Sequence, residues 1–313
     1  METNYVRTAL TTAIAPLAWG TTYFVTETFL PPDRPLFAAL VRALPAGLVL
    51  LAVRRQLPTG HWWWKAVVLG ICNIGLFFPL IFLAAYHLPG GLAATMQAAS
   101  PLAVMAIAWP LIRERPTMFR VAAALVGLSG VGLLVLRSPD GVDAIGLMAA
   151  SGSVVVSSLG FVLVKKWRSP VPMLTLVSWQ LVVGGVFLLP VALLVEGAPP
   201  AIDLRAAGGF LWIVIFGTIV AYTCWFHGLT RMPAGAVSLI GLLNPLVGTA
   251  IGVAFASEQF GPLQLLGMVL VIGGVLAGQR GLGNRVAHTP ADPRSEKVAH
   301  DPHTQGPDLV GSP

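Results

Sequence analysis

Residues 87–114 read HLPGGLAATMQAASPLAVMAIAWPLIRE, and residues 231–258 read RMPAGAVSLIGLLNPLVGTAIGVAFASE. The second stretch lies on the first without a gap, at an offset of 144. Pro89 meets Pro233, Gly91 meets Gly235, and Pro101-Leu102 meets Pro245-Leu246. Glu114 meets Glu258, and further on Gly130-Val131 meets Gly274-Val275. Small apolar residues coincide by chance in any hydrophobic chain. Prolines and a glutamate in ungapped register mark an internal repeat.

Around this repeat the chain is a series of apolar runs. A helix needs about 20 mostly apolar residues to cross the hydrocarbon core. By that ruler ten spans run at 8–30, 35–53, 66–86, 91–112, 119–136, 143–165, 173–195, 207–229, 235–256 and 262–280. The repeat unit holds five spans, an odd number, so its second copy enters the membrane upside down. The expected fold is all-α and integral to the membrane, with ten transmembrane helices in two inverted five-helix repeats. The expected units are 1–138, 139–280 and a disordered cytoplasmic tail at 281–313, rich in proline and charge. Inverted repeats are a recurrent design of secondary transporters, with the substrate site near the midplane between the halves.

Composition agrees. Of the 313 residues 56% are hydrophobic and 10% charged, and mean hydropathy is +0.79. Soluble proteins average about 25% charged. The two cysteines, Cys72 and Cys224, lie in apolar runs and form no disulfide framework. The net charge of +6 is explained by its placement. With the N-terminus in the cytoplasm and ten alternating spans, only Arg34, Arg137 and Arg205 of the 19 basic residues fall outside, and Arg42 lies within a span. That is the positive-inside pattern, with both termini cytoplasmic, and it needs no nucleic-acid partner. Trp62-Trp63-Trp64 beside Lys65 suits an interfacial aromatic belt. The first apolar run ends at Pro31-Pro32 rather than a small-residue cleavage site, so it is expected to stay as a signal-anchor.

Several stretches resemble the ten-helix EamA type of the drug/metabolite transporter superfamily. They are Ala18-Trp19-Gly20-Thr21-Thr22-Tyr23-Phe24-Val25, Arg42 within Phe37–Arg42, and Leu88–Ala94 through Pro101-Leu102 to Glu114-Arg115, repeated from Pro233 to Glu258. The second copy departs from the pattern: span 143–165 lacks the Trp-Gly pair and carries Ser157-Ser158-Leu159-Gly160 instead. Gln259-Phe260-Gly261 also replaces the basic residue that often follows the glutamate. The resemblance implies an inner-membrane carrier of small metabolites, often an exporter of amino acids or similar solutes.

Ionisable groups at membrane depth are functional-site hypotheses. Arg42 lies eight residues from Arg34, about 12 Å into the membrane. Glu27 sits at similar depth, and the two are expected within pairing distance. Arg42 then attracts a substrate carboxylate and Glu27 carries a coupling proton, or the two form a structural ion pair. Asn73, Gln97, Gln180 and Asn244 are uncharged amides within apolar spans. Each reads a polar solute or bonds a neighbouring helix. Asn73 and Gln97 are expected to line a cavity. Asn244 precedes Pro245, and Gln97 lies four residues before Pro101, so either amide also suits a carbonyl freed by proline. Trp19, Tyr23, Phe77, Trp179, Tyr222 and Trp225 are candidate cavity walls, Trp19 foremost because Gly20 follows it. The expected substrate-binding set is Trp19, Tyr23, Arg42, Asn73, Gln97, Tyr222 and Asn244. Pro101 and Pro245 are expected to kink the fourth and ninth spans, as hinges or as static bends. Glu114 and Glu258 are expected to complement the N-termini of the fifth and tenth helices. The glycine-rich runs 127–132 and 267–278 suit close helix contact, within the chain or in a homodimer.

No phosphate-binding G-x-x-x-x-G-K-[ST] loop and no H-E-x-x-H motif occurs, so no cofactor or metal is expected. The expected partners are a small-molecule substrate and the lipid bilayer. A multidrug or cation efflux protein and an uptake carrier are the alternatives. A channel, or an intramembrane enzyme built on His227 or Cys224, is more distant.

Overall fold

The computed structural model describes residues 2–32, 34–87, 96–135, 143–255 and 261–279. Among them every regular element is a helix. α1 (Glu2–Phe29) and α2 (Pro35–Arg54) make the first two spans. The third is one continuous run of α3 (Trp62–Gly70), a π-helical turn (Ile71–Gly75) and α4 (Phe77–His87). α5 (Ser100–Ile112) belongs to the fourth span, and α6 (Met118–Val135) is the fifth. α7 (Ala144–Trp167) and α8 (Met173–Val195) follow. The eighth again runs through a π-helix: α9 (Leu204–Val214), Ile215–Val220, and α10 (Ala221–Arg231). α11 (Ala234–Ile240) and α12 (Leu243–Phe255) form the ninth, and α13 (Pro262–Gln279) the tenth. Helix therefore occupies each of the ten expected spans. The runs at 35–54, 62–81, 144–167, 173–195 and 204–231 are each long and apolar enough to cross a membrane alone.

The inverted repeat is visible in the packing. The two π-helices begin at Ile71 and Ile215, the same 144 residues apart as the sequence repeat. α2 packs along α8 and α6 along α13, the second span on the seventh and the fifth on the tenth. α4 lies on α7 and α1 on α10, the third on the sixth and the eighth on the first. Each half buries its inner face on the other.

Small residues allow this approach. A methyl group at Gly130 would stand 2.7 Å from the Gly267 carbonyl oxygen, and one at Gly274 would stand 2.8 Å from that of Ala123. The two glycine-rich runs thus pack against each other within one chain. Outward faces carry large apolar side chains, such as Leu194 at 86% exposure, while Asn73, Gln180, Ser153 and Thr218 are buried. That inversion of the soluble pattern suits a bundle solvated by lipid, where helix contacts come from close packing and interhelical hydrogen bonds.

The paired prolines do something other than kink a continuous helix. Pro101 is in the first turn of α5, after a turn at residues 98–99. Pro245 is in the first turn of α12, after the turn at Gly241-Leu242 that separates α11 from α12. The spans are broken there. Proline is well tolerated in a first turn because its missing N–H would have no intrahelical acceptor.

Candidate functional site

The eighth span provides the centre. Its π-helix places the Gly217 carbonyl where two side chains from the other half reach it. Trp19 Nε1 donates to that oxygen at 2.9 Å and Arg42 Nη2 at 2.8 Å. Arg42 Nε also donates to Thr218 Oγ1 at 2.9 Å, and Thr218 passes its own proton to the Ile213 carbonyl. The guanidinium stands 4.7 Å from the centre of the Phe78 ring. Arg42 therefore faces the repeat interface, with its charge dispersed over a carbonyl, a hydroxyl and an aromatic face.

The third span answers from the opposite side. Tyr222 Oη donates to the Asn73 carbonyl, inside the first π-helix, at 3.3 Å. Asn73 Nδ2 donates to Gln180 Oε1 at 2.7 Å, tying the third span to the seventh. Adding the repeat offset to Asn73 gives Gly217, so equivalent carbonyls of the two π-helices each accept a side-chain bond from the other half. A π-bulge breaks the regular hydrogen-bond ladder and often marks a functional site.

Between these carbonyls lies an aromatic cluster. Trp19 stacks edgewise on Tyr222 at 5.4 Å and tilts against Trp225 at 5.3 Å; Phe161 closes the far side of Trp225 at 5.4 Å. Around it are buried polar atoms without a hydrogen-bond partner among the described residues: Thr22 Oγ1, Asn73 Oδ1, Ser158 Oγ, Trp225 Nε1 and Asn244 Oδ1. Buried polar atoms are ordinarily paired, so each such atom calls for water or a ligand to complete it. They come from the first, third, sixth, eighth and ninth spans, which meet here. Asn244 belongs by backbone proximity: its carbonyl would lie 2.9 Å from a methyl group at Gly20.

Of the expected substrate-binding set, Trp19, Arg42, Asn73 and Tyr222 are brought together, with Asn244 beside them. Gln97 is apart, donating to Ser153 Oγ at 2.6 Å between the fourth and sixth spans. The side chains of Tyr23 and Glu27 lie outside the described residues, and with them the expected Glu27–Arg42 pairing. Trp179 is spent elsewhere, donating to the Gln56 carbonyl at 2.7 Å. Sequence reasoning missed Thr218, Gly217 and Phe78. The repeat offset from Asn73 would have found Gly217.

Glu114 does not serve the fifth helix. Its carboxylate accepts from the Ala234 backbone N–H at 2.8 Å, at the start of the ninth span, and pairs with Lys165 Nζ at 2.5 Å. Lys165 also donates to the Met232 carbonyl. The N-terminus of α11 has free N–H groups and a positive dipole end, as attractive to a carboxylate as its own neighbouring helix. One charged knot thus joins the ends of the fourth and sixth spans to the start of the ninth. Glu258 lies outside the described residues. At the opposite end of the bundle, Asp143 caps α7 through the Ile145 N–H at 3.0 Å and meets His87 Nδ1 at 2.5 Å. Those bonds, the Ile145 N–H first, hold the Asp143 carboxyl below its ordinary value.

Helices that cross a membrane in two inverted copies, with a polar, incompletely bonded centre shared between them, define a multi-pass membrane transporter. The model of the EamA-like transporter family matches residues 6–136 and 144–277, one match in each half, and the chain belongs to that family. It is 40% identical over 267 residues to Protein PecM of Dickeya dadantii, covering 85% of this chain and 90% of that one. It is 28% identical over 273 residues to the uncharacterized transporter YvbV of Bacillus subtilis, covering 85% and 89%. A solved crystal structure superposes with a TM-score of 0.76 at 19% identity, over 91% of this chain and 99% of that one, a likeness of fold alone.

Proposed function

We propose that this transporter is an alternating-access secondary carrier of the inner membrane, with both termini cytoplasmic, exporting small metabolites such as amino acids. The units are residues 1–138 and 139–280, with 281–313 a cytoplasmic tail. The observation that carries this reading is the pair of π-helices, 144 residues apart, whose carbonyls accept bonds from Trp19, Arg42 and Tyr222 across the repeat interface. Equivalent contacts in two inverted halves can exchange roles, which turns one packing into inward- and outward-facing states. A substrate carboxylate displaces the Gly217 carbonyl and Thr218 from Arg42. Its ammonium or amide meets the open acceptors Asn73 Oδ1 and Asn244 Oδ1, and Trp19 and Tyr222 wall the site. The chain breaks before Pro101 and Pro245 serve as hinges, and Glu27 carries the coupling proton. The aromatic cluster supports a second reading, efflux of organic cations over the rings.

The test is counterflow of a labelled amino-acid mixture into proteoliposomes preloaded with the unlabelled mixture. Saturable uptake in wild type, lost in Arg42→Ala at equal reconstitution, is expected. Undiminished exchange in the variant overturns the role of Arg42. Absence of exchange in wild type overturns the amino-acid assignment, and exchange of a cationic dye in its place establishes the second reading.

A further inference from the structure

Between residues 35 and 139 the sequence holds a single acidic residue, Glu114, flanked by Arg113 and Arg115. The Glu114 carboxylate is turned away to Lys165 and the Ala234 N–H. Neither flanking arginine forms an ion pair among the described residues. Both face solvent or lipid rather than the bundle centre. Arg113 ends α5 in the left-handed region, φ 57°, with its N–H on the Ala108 carbonyl. Glycine adopts that conformation without steric cost. An arginine there accepts the cost and keeps a guanidinium at the helix end.

These two arginines close one end of an open groove of about 580 Å³, whose other lining residues are Ala106, Trp109 and Pro110. Trp109 is 55% exposed. From Ala106 to Arg113 the groove descends along seven helical residues, roughly 10 Å. Its chemistry changes over that distance from apolar, through an indole, to two cations. A phospholipid changes over the same distance from acyl chain, through glycerol, to phosphate. Tryptophan favours the interfacial level, and guanidinium forks suit phosphate oxygens.

We propose that this groove binds one anionic phospholipid, its phosphodiester on Arg113 and Arg115 and an acyl chain along Trp109, Pro110 and Ala106. The site lies outside the transport centre. By holding the lipid against the segment that carries Glu114, it places a lipid-sensitive contact beside the knot that joins the two halves.

The test is thermal unfolding of the purified protein in detergent with added phosphatidylglycerol, phosphatidylcholine, or soluble glycerol phosphate. Phosphatidylglycerol is expected to raise Tm more than phosphatidylcholine does, and glycerol phosphate to leave it unchanged. The Arg113→Gln/Arg115→Gln double variant loses the excess and keeps the phosphatidylcholine response. Native mass spectrometry of Arg115→Gln is the second readout, with fewer retained phosphatidylglycerol adducts expected. Equal stabilisation by the two lipids, or an unchanged excess in the variants, overturns the proposal. An equal shift with glycerol phosphate overturns the lipid in favour of a free-phosphate site. None of these outcomes depends on the transported substrate.

Discussion

Gly160→Ala is the most informative single substitution in the site. Gly160 lies on α7 where the third span crosses it. A Cβ at this position would stand 2.7 Å from Asn73 Cγ and 3.0 Å from its Nδ2, and closer still to Oδ1. No real Cβ tolerates that approach, so the Asn73 amide must leave its place. Its bond to Gln180 at 2.7 Å then goes too. Forcing one carbon into a packed interior costs about 1–3 kcal/mol. Losing an interhelical side-chain bond in a membrane protein adds about 0.6 kcal/mol. The expected loss is therefore about 1.6–3.6 kcal/mol, read as a shift in the unfolding midpoint in mixed micelles. The assignment of the cost to Asn73 is tested by a double-mutant cycle. With Asn73→Ala already present, the added methyl has room, and Gly160→Ala should cost under about 0.5 kcal/mol. Independent sites add to within roughly 0.3–0.5 kcal/mol, so a coupling near 2 kcal/mol is easily distinguished. Additive costs would refute the contact and with it the crossing of α7 on the π-helix.

Three further outcomes follow from the geometry. Thr218→Val removes the Oγ1 acceptor that a substrate carboxylate has to displace from Arg42 Nε, while keeping the side-chain shape; counterflow should show a lowered KM with Tm within a few degrees of wild type. Glu114→Ala removes both the Lys165 partner and the cap on the Ala234 N–H; it should lower stability by about 1–2 kcal/mol in chemical unfolding, as expected for a charge-assisted bond and a cap. Asp143 contributes through a carboxyl held below its ordinary value, so its contribution is full above the unfolded value and fades as pH falls through the folded one. The Tm gap between wild type and Asp143→Asn should accordingly narrow as pH falls below about 4.

Much of this arrangement could be read from the residues. The register of Pro101 with Pro245 and of Glu114 with Glu258 revealed the repeat, because proline is costly inside an apolar span and acidic residues are scarce, 13 in 313, so neither coincides idly. Arg42 stood out for the same reason. The π-helices carried no such mark. Ile71–Gly75 and Ile215–Val220 are ordinary apolar stretches, and they fall where the third span packs on the sixth and the eighth on the first. The partner of Glu114 was also illegible, since a carboxylate is attracted to any nearby helix N-terminus and only the fold brings α11 within reach. The paired prolines were visible as irregularities, but the pattern alone does not separate a kink from a break. Trp179 and Gln97 have the composition of site residues, yet tertiary packing gives them to Gln56 and Ser153.

The central claim is that one buried centre, shared by two inverted halves, opens to each side of the membrane in turn. Thr22 Oγ1 is buried in that centre without a hydrogen-bond partner among the described residues, 3.4 Å from where a methyl at Gly217 would stand. A single cysteine placed there, as Thr22→Cys in a Cys72→Ser/Cys224→Ser background, reports access directly. Oriented membrane vesicles would be treated with a membrane-impermeant maleimide from one face or the other. Alternating access predicts labelling from both faces at measurable rates, with no passage of the reagent across the vesicle. Labelling from neither face, from one face only, or accompanied by leakage of the reagent would contradict it.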